Sequence, residues 1–393
     1  MGIRGLPPNY GGFERHVDHL SRYLSNSCGQ NILVACEKNW SDKKKFSDYF
    51  NVKLEYYTLI PGPRWLSETI FDINIMLSSL FVRDLDLIYY CGLSAGFFTF
   101  LPRLFGKKII VNVDGFEWKN KKFNPILRSL LYLNILCLLK FPNALVTDNE
   151  SLYEYYNEHF SKDTVLIPYS VESQQESYGN IDIILRKYNL KFKKFFITVT
   201  RLEMMNSIEY IILEVEKIYG MTNKIPLVIV GNLSTDYGKY ILDKYGSCEF
   251  VLFLGFISNP DELNILRKCA IAYIHGQVTG GTSPALLEAL ASGMIIASFD
   301  SISNRATMKD TNYYFYYDYN YYLENGKYKE LLEDSLTLSE KSLSSILEYI
   351  VNNYNKIYKT IESSNIALTT SEYSIEKISK LHLDLYRGIC SGL

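Results

Sequence analysis

The sequence has little of what a disulfide-bonded, zinc-binding or membrane-spanning protein needs. Its seven cysteines lie far apart, at positions 28, 36, 91, 137, 248, 269 and 390, without any C-x-x-C pair. Their odd number and wide spacing argue against a disulfide framework and a zinc site, and they predict reduced thiols in the cytoplasm. The longest apolar stretch, at 126–141, is interrupted by Arg128, Asn134 and Lys140 and is too short to cross a bilayer.

That apolar stretch allows two interpretations. It is either a helix packed into a core or a helix that rests on a membrane surface. Basic residues at 119, 121, 122, 128 and 140 flank or interrupt it, as expected near anionic lipid, and a solvated charged face explains them equally well. We expect a cytoplasmic protein, and the second interpretation adds a peripheral contact with the inner face of the cell membrane.

The chain also lacks a strong net charge. The formal charge is −2 over 393 residues, with 21% charged and 47% hydrophobic side chains. No positive field favours nucleic acid, so we expect no nucleic-acid partner. The length and composition predict two domains with ordinary globular cores.

Short apolar runs alternate with helical patterns along most of the chain. Strands are predicted at 31–36, 52–57, 85–90, 108–113, 144–148 and 164–168, and then at 195–200, 226–230, 249–254, 270–275 and 294–298. Helices are predicted from residue 13, near 66–81, 95–105 and 124–141, and over most of 338–393. This alternation predicts an α/β fold of parallel sheets with helices on both faces.

A polar stretch at 170–180, SVESQQESYGN, divides the pattern into two halves with the same order of strands and helices. We expect a first Rossmann-like domain over 1–172 and a second over 173–372, with a cleft between them. The last segment, 373–393, is expected to be a helix that returns to the first domain.

Ligands of open parallel sheets bind beyond the carboxyl ends of the strands, and this rule selects candidate residues. The residues that follow or end predicted strands are Asp114, Arg201, Gly231 and His275. Arg201 suits a diphosphate, although a surface ion pair would also explain it. His275 either contacts a ligand or satisfies a hydrogen bond in the core. Asp84 and Asp86 precede a strand, so we expect solvated carboxylates there rather than a metal site.

The stretch GGTSPALLEAL, at 280–290, is typical of a helix start that binds an anion. Gly280 and Gly281 allow a ligand close to the backbone, while Ser283 and the following proline suit the N-cap and first helical positions. The N–H groups there would bind a phosphate, and Glu288 would accept hydrogen bonds from ribose hydroxyls. The alternative is a capped and packed helix with a solvated Glu288.

The glycine-rich opening, residues 2–12, offers a second anion-binding element. It leads into an amphipathic helix, and its backbone N–H groups would surround the same diphosphate. His16 and His19 are expected on the solvated face of that helix. Further along, Phe116 and Trp118 would either stack on a sugar ring or cover the edge of the domain.

Four motifs resemble those of a known family: GIRGLPPNYGGFE, VNVDGFEWKNKKF, TRLEMMN and HGQVTGGTSPALLEALASG. They are similar to family 4 glycosyltransferases, and within that family to bacterial rhamnosyltransferases of capsule and O-antigen polysaccharide biosynthesis. The resemblance implies the GT-B fold, two Rossmann-like domains that face a cleft. It also implies transfer of a sugar, L-rhamnose, from a nucleotide diphosphate donor such as dTDP-rhamnose to a lipid-linked saccharide. Retention of the anomeric configuration, and no metal or cofactor, are part of the same implication.

The resemblance also assigns roles by motif. Asp114 and Arg201 would be catalytic, with Asp114 where many members place a histidine near the reacting sugar carbon. It assigns donor contacts to Gly5, Gly11, Gly12, Arg201 and Glu288. With the residues selected above, the full set of predicted donor contacts is Gly5, Gly11, Gly12, Arg201, Asn206, Gly231, His275, Gly280, Gly281, Thr282 and Glu288. Acceptor contacts would come from Tyr10, Glu14, Glu117 and Trp118.

This chain departs from the family pattern in three ways. Gly280 replaces a glutamate of the broad family, and Val278 stands where similar members often carry a glutamate. The stretch EMMNS offers Asn206 but no cation after Arg201. Relatives also carry an apolar strand before the glycine-rich loop, and here that first strand is missing, so we expect a start further upstream or a truncated copy.

The departures leave other functions open. A catalytically inactive homologue that binds a sugar nucleotide or a partner protein is the main alternative. A sugar-nucleotide epimerase or a dehydrogenase of related fold is a third possibility, although no G-x-G-x-x-G follows a predicted strand.

Overall fold

The computed structural model describes residues 1–8, 11–38, 48–62, 64–94, 96–113, 125–160, 164–173, 181–278, 280–316 and 342–391. The chain divides into two compact units. The first unit comprises residues 1–170 together with 373–393, and the second comprises residues 171–372. Each unit has its own parallel strands and its own buried core.

The described elements are numbered in chain order. The strands are β1 Leu33–Glu37, β2 Asp48–Tyr49, β3 Val52–Tyr57, β4 Leu87–Cys91, β5 Lys108–Val113, β6 Ala144–Thr147, β7 Val165–Leu166, β8 Phe196–Val199, β9 Leu227–Val230, β10 Val251–Gly255, β11 Ala272–His275, β12 Ile296–Phe299 and β13 Tyr313–Phe315. The helices are α1 Gly12–Cys28, α2 Arg64–Ser79, α3 Phe100–Leu104, α4 Pro125–Lys140, α5 Glu150–Phe160, α6 Ile181–Lys187, α7 Ile208–Tyr219, α8 Asp236–Tyr245, α9 Pro260–Cys269, α10 Pro284–Ala291, α11 Ile302–Met308, α12 Leu343–Glu372 and α13 Ile375–Ser391.

The strands described in the first unit form two sheets. The smaller has the order β1-β3-β2, with β1 and β3 parallel and the short β2 antiparallel to β3. The larger is all-parallel in the order β4-β5-β6-β7. Ile109 and Val111 of β5 lie in one buried cluster with Ile135 and Leu138 of α4, so this helix covers one face of the larger sheet.

The opening residues connect the two sheets of the first unit. The amino group of Met1 donates a hydrogen bond to the Tyr89 carbonyl at 2.8 Å, and Cys91 N donates to the Met1 carbonyl at 3.0 Å. On the other side, Glu37 N donates to the Arg4 carbonyl at 2.5 Å. Residues 1–4 therefore bond to β4 and to β1, and they join the edges that these two strands present.

Helix α13 covers a face of α1, and this corrects the expectation for His16. Leu383 of α13 lies in one buried cluster with Leu20 and Leu24 of α1. His16 was expected in solvent, but it is buried and its ring lies 5.1 Å from that of His382. The pattern of α1 marks one apolar face, and the sequence does not show that a distant helix packs on a second.

The second unit is built on one parallel sheet of six strands. Their order is β10-β9-β8-β11-β12-β13, and every described pair is parallel. The four strands in the middle are mainly apolar and are buried at every residue except Val199, which ends β8, as expected where helices cover both faces. Ile346, Leu347 and Ile350 of α12 join the core of this unit.

The predicted α/β fold of parallel sheets is confirmed, and each predicted strand has a counterpart in the structure. Two strands were not predicted, the two-residue β2 and the tyrosine-rich β13. The helix predicted over 95–105 is instead a 3₁₀ turn, Gly96–Phe98, followed by the short α3. No helix among the described residues is long and apolar enough to span a bilayer.

Candidate active site

Three neighbouring strands of the second unit place the candidate donor residues at one sheet edge. Arg201 lies just after β8, Gly231 follows β9, and His275 ends β11. These strands are adjacent in the order β9-β8-β11 and run parallel, so their carboxyl ends meet at the same edge. This is the edge where open parallel sheets bind ligands.

Arg201 presents its side chain to solvent while its backbone is fixed. The side chain is 74% exposed, with Nη1 3.6 Å from an oxygen of Glu203. Such an exposed pair contributes little to stability, so the guanidinium is available to an anion. The Arg201 carbonyl accepts hydrogen bonds from Asn206 Nδ2 at 2.7 Å and from Glu203 N at 2.9 Å.

Asn206 thus holds the turn that carries Arg201. Its side chain is buried, and its amide donates to the backbone rather than extending into solvent. The sequence suggested Asn206 as a replacement for a cation, and the structure places it behind Arg201. Its direct contact with a donor stays a prediction.

The loop between β11 and α10 forms the second part of this edge. Gly280 has a φ of +128°, which only glycine adopts without strain, and a Cβ there would lie 2.7 Å from Gln277 Nε2. Ser283 precedes α10 in an extended conformation, Pro284 is the first helical residue, and the Ser283 side chain makes no capping bond. Pro284 has no N–H, and the N–H groups of Leu286 and Leu287 donate to the Ser283 carbonyl at 3.1 Å. The N–H of Ala285, at the positive end of the helix dipole, is therefore the group of the first turn that suits a bound anion.

Helix α11 holds this loop in place through residues that the sequence did not single out. The Asn304 side-chain amide donates to the carbonyls of Gln277 and Phe299, both at 2.9 Å. Ser303 Oγ donates to the Gly281 carbonyl at 3.1 Å. The serine N-cap at 301 signals the start of α11, but no local pattern shows that this helix contacts a loop 20 residues earlier.

Two further residues of the loop are buried. Thr282 is buried, and Val278 is buried in the core of the unit with its N–H 3.0 Å from the Met205 carbonyl. Val278 therefore packs as a core residue.

Gly231, which follows β9, donates its N–H to the Gly255 carbonyl at 3.0 Å, and this bond keeps β9 and β10 paired at this edge.

His275 is a neutral imidazole at the end of β11. Its side chain is 3% exposed, and burial lowers its pKa to about 3. Nε2 has no hydrogen-bond partner, and the ring stacks on Tyr273 with centroids 6.0 Å apart. The alternative interpretation of His275 was a hydrogen bond within the core, and Nε2 makes none. A buried nitrogen without a hydrogen-bond partner is uncommon in proteins.

Glu288 is not solvated, contrary to the alternative considered for it. It is buried in the second turn of α10, and its Oε2 accepts a hydrogen bond from Arg267 Nη2. Arg267 lies on α9, a helix that Pro260 starts and Asn259 caps through bonds to two backbone N–H groups. Arg267 was missed in the sequence because it lies 21 residues from Glu288 and belongs to no motif.

The first unit holds the predicted loop and acceptor residues that the structure describes. Glu14 is buried, and its Oε1 accepts a hydrogen bond from Arg4 N at 3.1 Å. A Cβ on Gly11, where φ is +108°, would lie 1.9 Å from Glu14 Oε2. Glu14 therefore closes the opening loop, next to Gly12 at the start of α1 and to the buried Gly5. Burial raises the pKa of Glu14, against the Arg4 N–H, which lowers it.

Four predicted site residues lie outside the described residues: Tyr10, Asp114, Glu117 and Trp118. Their roles stay predictions. Within the described ranges, no group of three or more His, Cys, Asp or Glu side chains is arranged to hold a metal ion.

Comparison with known proteins indicates the class of protein to which this chain is similar. Residues 180–345 match the family described as "Glycosyl transferases group 1", and residues 1–172 match "Domain of unknown function (DUF1972)". An uncharacterized glycosyltransferase of Methanocaldococcus jannaschii is 26% identical over 320 residues, which cover 74% of this chain and 78% of that protein. These matches support glycosyltransferase as the class of this chain, with the similarity to group 1 glycosyl transferases in residues 180–345.

Solved structures support the fold. Sucrose-phosphate synthase from Thermosynechococcus elongatus superposes with a TM-score of 0.76 at 14% identity, over 98% of this chain and 94% of that one. Anabaena HepE in complex with UDP-glucose gives 0.70 at 12% identity, over 100% and 98% of the two chains. The fold is that of GT-B glycosyltransferases, with two Rossmann-like domains, as the motif resemblance implied.

Proposed function

We propose that this protein transfers a sugar from a nucleotide diphosphate donor to a lipid-linked saccharide, with retention of the anomeric configuration. The observation that carries the proposal is the sheet edge of the second unit. There the exposed Arg201 follows β8, and the loop into α10 presents glycine backbone and an uncapped helix start after the adjacent β11. These features together suit a diphosphate.

The proposed chemistry is electrostatic. As the bond to the sugar breaks, negative charge develops on the leaving diphosphate, and Arg201 and the Ala285 N–H at the start of α10 stabilise it. Glu288 accepts hydrogen bonds from the ribose, and Asp114 keeps the catalytic role that the motif resemblance implies. In this proposal the domain of residues 173–372 binds the donor. The domain of residues 1–172 binds the acceptor, next to the opening loop that contacts Glu14.

A lipid-linked acceptor is supported by the surface of α4. One side of this helix is buried through Ile135 and Leu138, whereas Ile126 is 75% exposed and Leu130 and Leu133 are exposed as well. The spacing 126, 130, 133 places these three side chains on one face. An exposed apolar face with basic residues on the same helix suits the surface of an anionic membrane. We propose that α4 rests on the cytoplasmic surface of the cell membrane. We also propose that the protein acts in bacterial surface polysaccharide biosynthesis and that the transferred sugar is L-rhamnose.

Binding and turnover of a donor panel test the proposal. We would measure calorimetric affinity and product formation with dTDP-rhamnose, UDP-sugars and GDP-sugars, using a lipid-linked saccharide as acceptor, and assign the anomeric configuration by NMR. Turnover of one donor with retention supports the proposal. Binding without turnover would instead make the chain an inactive homologue.

Arg201 supplies the sharper test. Arg201→Ala is expected to lower turnover by about 100-fold, because it removes charge stabilisation from the leaving group. Arg186→Ala is the matched control, since Arg186 is exposed on α6 of the same unit. A change under about threefold in Arg201→Ala would remove Arg201 from the site.

A further inference from the structure

The second unit buries a complete ion pair beside the proposed donor edge. Arg267 of α9 is 1% exposed, and among the described residues it is the largest fully buried side chain by volume. Its Nη2 donates to Glu288 Oε2, and its Nη1 donates to Asn264 Oδ1 at 3.0 Å. The guanidinium is therefore bonded at two of its nitrogens, and its plane is fixed between α9 and α10.

Stability alone does not account for this pair. Removing two charges from water costs about as much as their attraction returns, and apolar side chains of similar volume often serve as well or better. The neighbouring side chains of α9, Ile265 and Leu266, are of that apolar kind. What the arginine adds is direction, because its planar fork fixes the orientation of a carboxylate.

The orientation of Glu288 bears on ligand binding. Glu288 lies in the helix whose start forms the proposed phosphate site, one turn behind Ser283 and Pro284. A carboxylate accepts up to about four hydrogen bonds, so the bond from Arg267 to Oε2 does not exhaust it. A pentose attached to a diphosphate at the helix start extends along the same helix, toward Glu288.

We propose that Arg267 is a positioning residue, which holds Glu288 in the orientation that accepts hydrogen bonds from the pentose hydroxyls of the nucleotide. This proposal rests on the proposed function, because it assumes a nucleotide at this edge. It makes Arg267 the source of discrimination between a hydroxylated pentose and its dideoxy counterpart. Arg267 itself touches no ligand.

The test compares two nucleotides in each variant by calorimetry. The probes are UDP and 2′,3′-dideoxy-UDP, or dTDP and its 3′-deoxy form if dTDP is the nucleotide that binds. Arg267→Met is expected to weaken the hydroxylated nucleotide by about tenfold, because hydrogen bonds to a charged group are lost. The dideoxy form, which does not use Glu288, should bind as it does to the unmodified protein.

Two further variants keep the result interpretable if Arg267→Met fails to fold. Arg267→Lys keeps the charge without the fork and should retain part of the discrimination. Lys193→Met is the matched control, because Lys193 Nζ donates to the Lys268 and Ala270 carbonyls at the end of α9 and lies apart from Glu288. The control should leave the ratio of the two affinities unchanged.

The possible results distinguish a wrong role for Arg267 from a wrong proposed function. If the Arg267 variants weaken both nucleotides equally, the arginine has a structural role only and the inference is overturned. If the unmodified protein binds neither member of either pair, the proposed function fails instead. Loss of discrimination in Arg267→Met, with partial return in Arg267→Lys, supports the positioning role.

Discussion

The side-chain amide of Asn206 donates a hydrogen bond to the backbone carbonyl of Arg201 at 2.7 Å. A buried side chain thus fixes the turn from which an exposed cation extends. Asn206 stands where the resemblance leads one to expect a positive charge. In this chain the position serves the geometry of Arg201.

Asn206→Ala is therefore expected to weaken donor binding through Arg201. Removing the amide takes away the shortest hydrogen bond to the Arg201 carbonyl and leaves those from Glu203 N at 2.9 Å and Thr200 Oγ1 at 3.4 Å. One hydrogen bond contributes about 1 kcal/mol, or about fivefold in affinity. Calorimetry with the donor that binds best measures the change. Asn353→Ala removes a bond of the same kind from the exposed side of α12 and should have no effect. Equal affinities in both variants would contradict the role of Asn206.

Asn304→Ala is expected to loosen the loop before α10. Both N–H groups of this amide are used, one on the loop at Gln277 and one at the end of β12. The loss of these two hydrogen bonds, of which the Gln277 bond holds the loop, should lower the free energy of unfolding by about 2 kcal/mol and also weaken nucleotide binding. Ser303→Ala, which loses a single bond to the Gly281 carbonyl, should have a smaller effect on both quantities. Denaturant unfolding and calorimetry give the two values, and unchanged binding in a destabilised Asn304→Ala would separate the loop from the site.

Leu133→Glu is expected to reduce binding to anionic vesicles by about tenfold or more. A carboxylate in the middle of the exposed face of α4 opposes burial in lipid and is repelled by negative headgroups. Sedimentation with phosphatidylglycerol vesicles measures the bound fraction. Ile183→Glu changes an equally apolar and exposed position on α6, and it should bind as the unmodified protein does. Equal loss in both variants would point to net charge rather than to the α4 face.

The free energy of unfolding is expected to fall as the pH drops from 7.5 to 5.5. Burial lowers the pKa of His382 to about 3 and that of His16 well below its usual 6.5. The unfolded chain then takes up protons before the folded one, so stability that is full above about pH 6.5 is lost progressively toward pH 3. Each such histidine removes about 1.4 kcal/mol between pH 7.5 and 5.5.

His382→Phe isolates this contribution. The variant keeps an aromatic ring beside Tyr89 and His16, and the loss between the two pH values should shrink by about 1.4 kcal/mol. Asp72, whose pKa burial raises to about 6, acts in the opposite direction below that pH and is common to both proteins. His159→Phe makes the same substitution at an exposed histidine of the first unit and is the matched control. An unaltered slope in His382→Phe would refute the assignment.

The strands could be predicted from the sequence because most of them are buried apolar runs. PLVIV at 226–230 becomes β9, and each of its four strand residues is buried. β13 escaped prediction because its tyrosines, at 313 and 314, lie in a polar, tyrosine-rich stretch without an apolar period. Two-residue strands such as β2 carry no pattern at all.

The candidate site could be predicted only as far as its motifs extend. The rule about carboxyl strand ends selected Arg201 and His275, and the structure places both at one sheet edge. Arg267 and Asn304 could not be predicted, because their partners lie more than 20 residues away and depend on how helices pack. His16 shows the same limit, since a helix some 360 residues later buries it.

The division of the chain has a consequence for the order in which it folds during synthesis. Residues 171–372 form one unit, and they interrupt the other, which needs both 1–170 and 373–393. A ribosome therefore releases every residue of the second unit before the first can be completed. Until α13 emerges, Leu20 and Leu24 of α1 lack the cover of Leu383, and Ile110 of β5 lacks that of Ile378. The nascent first unit thus exposes apolar surface until residues 375–391 have been synthesised, a condition in which chaperones commonly act.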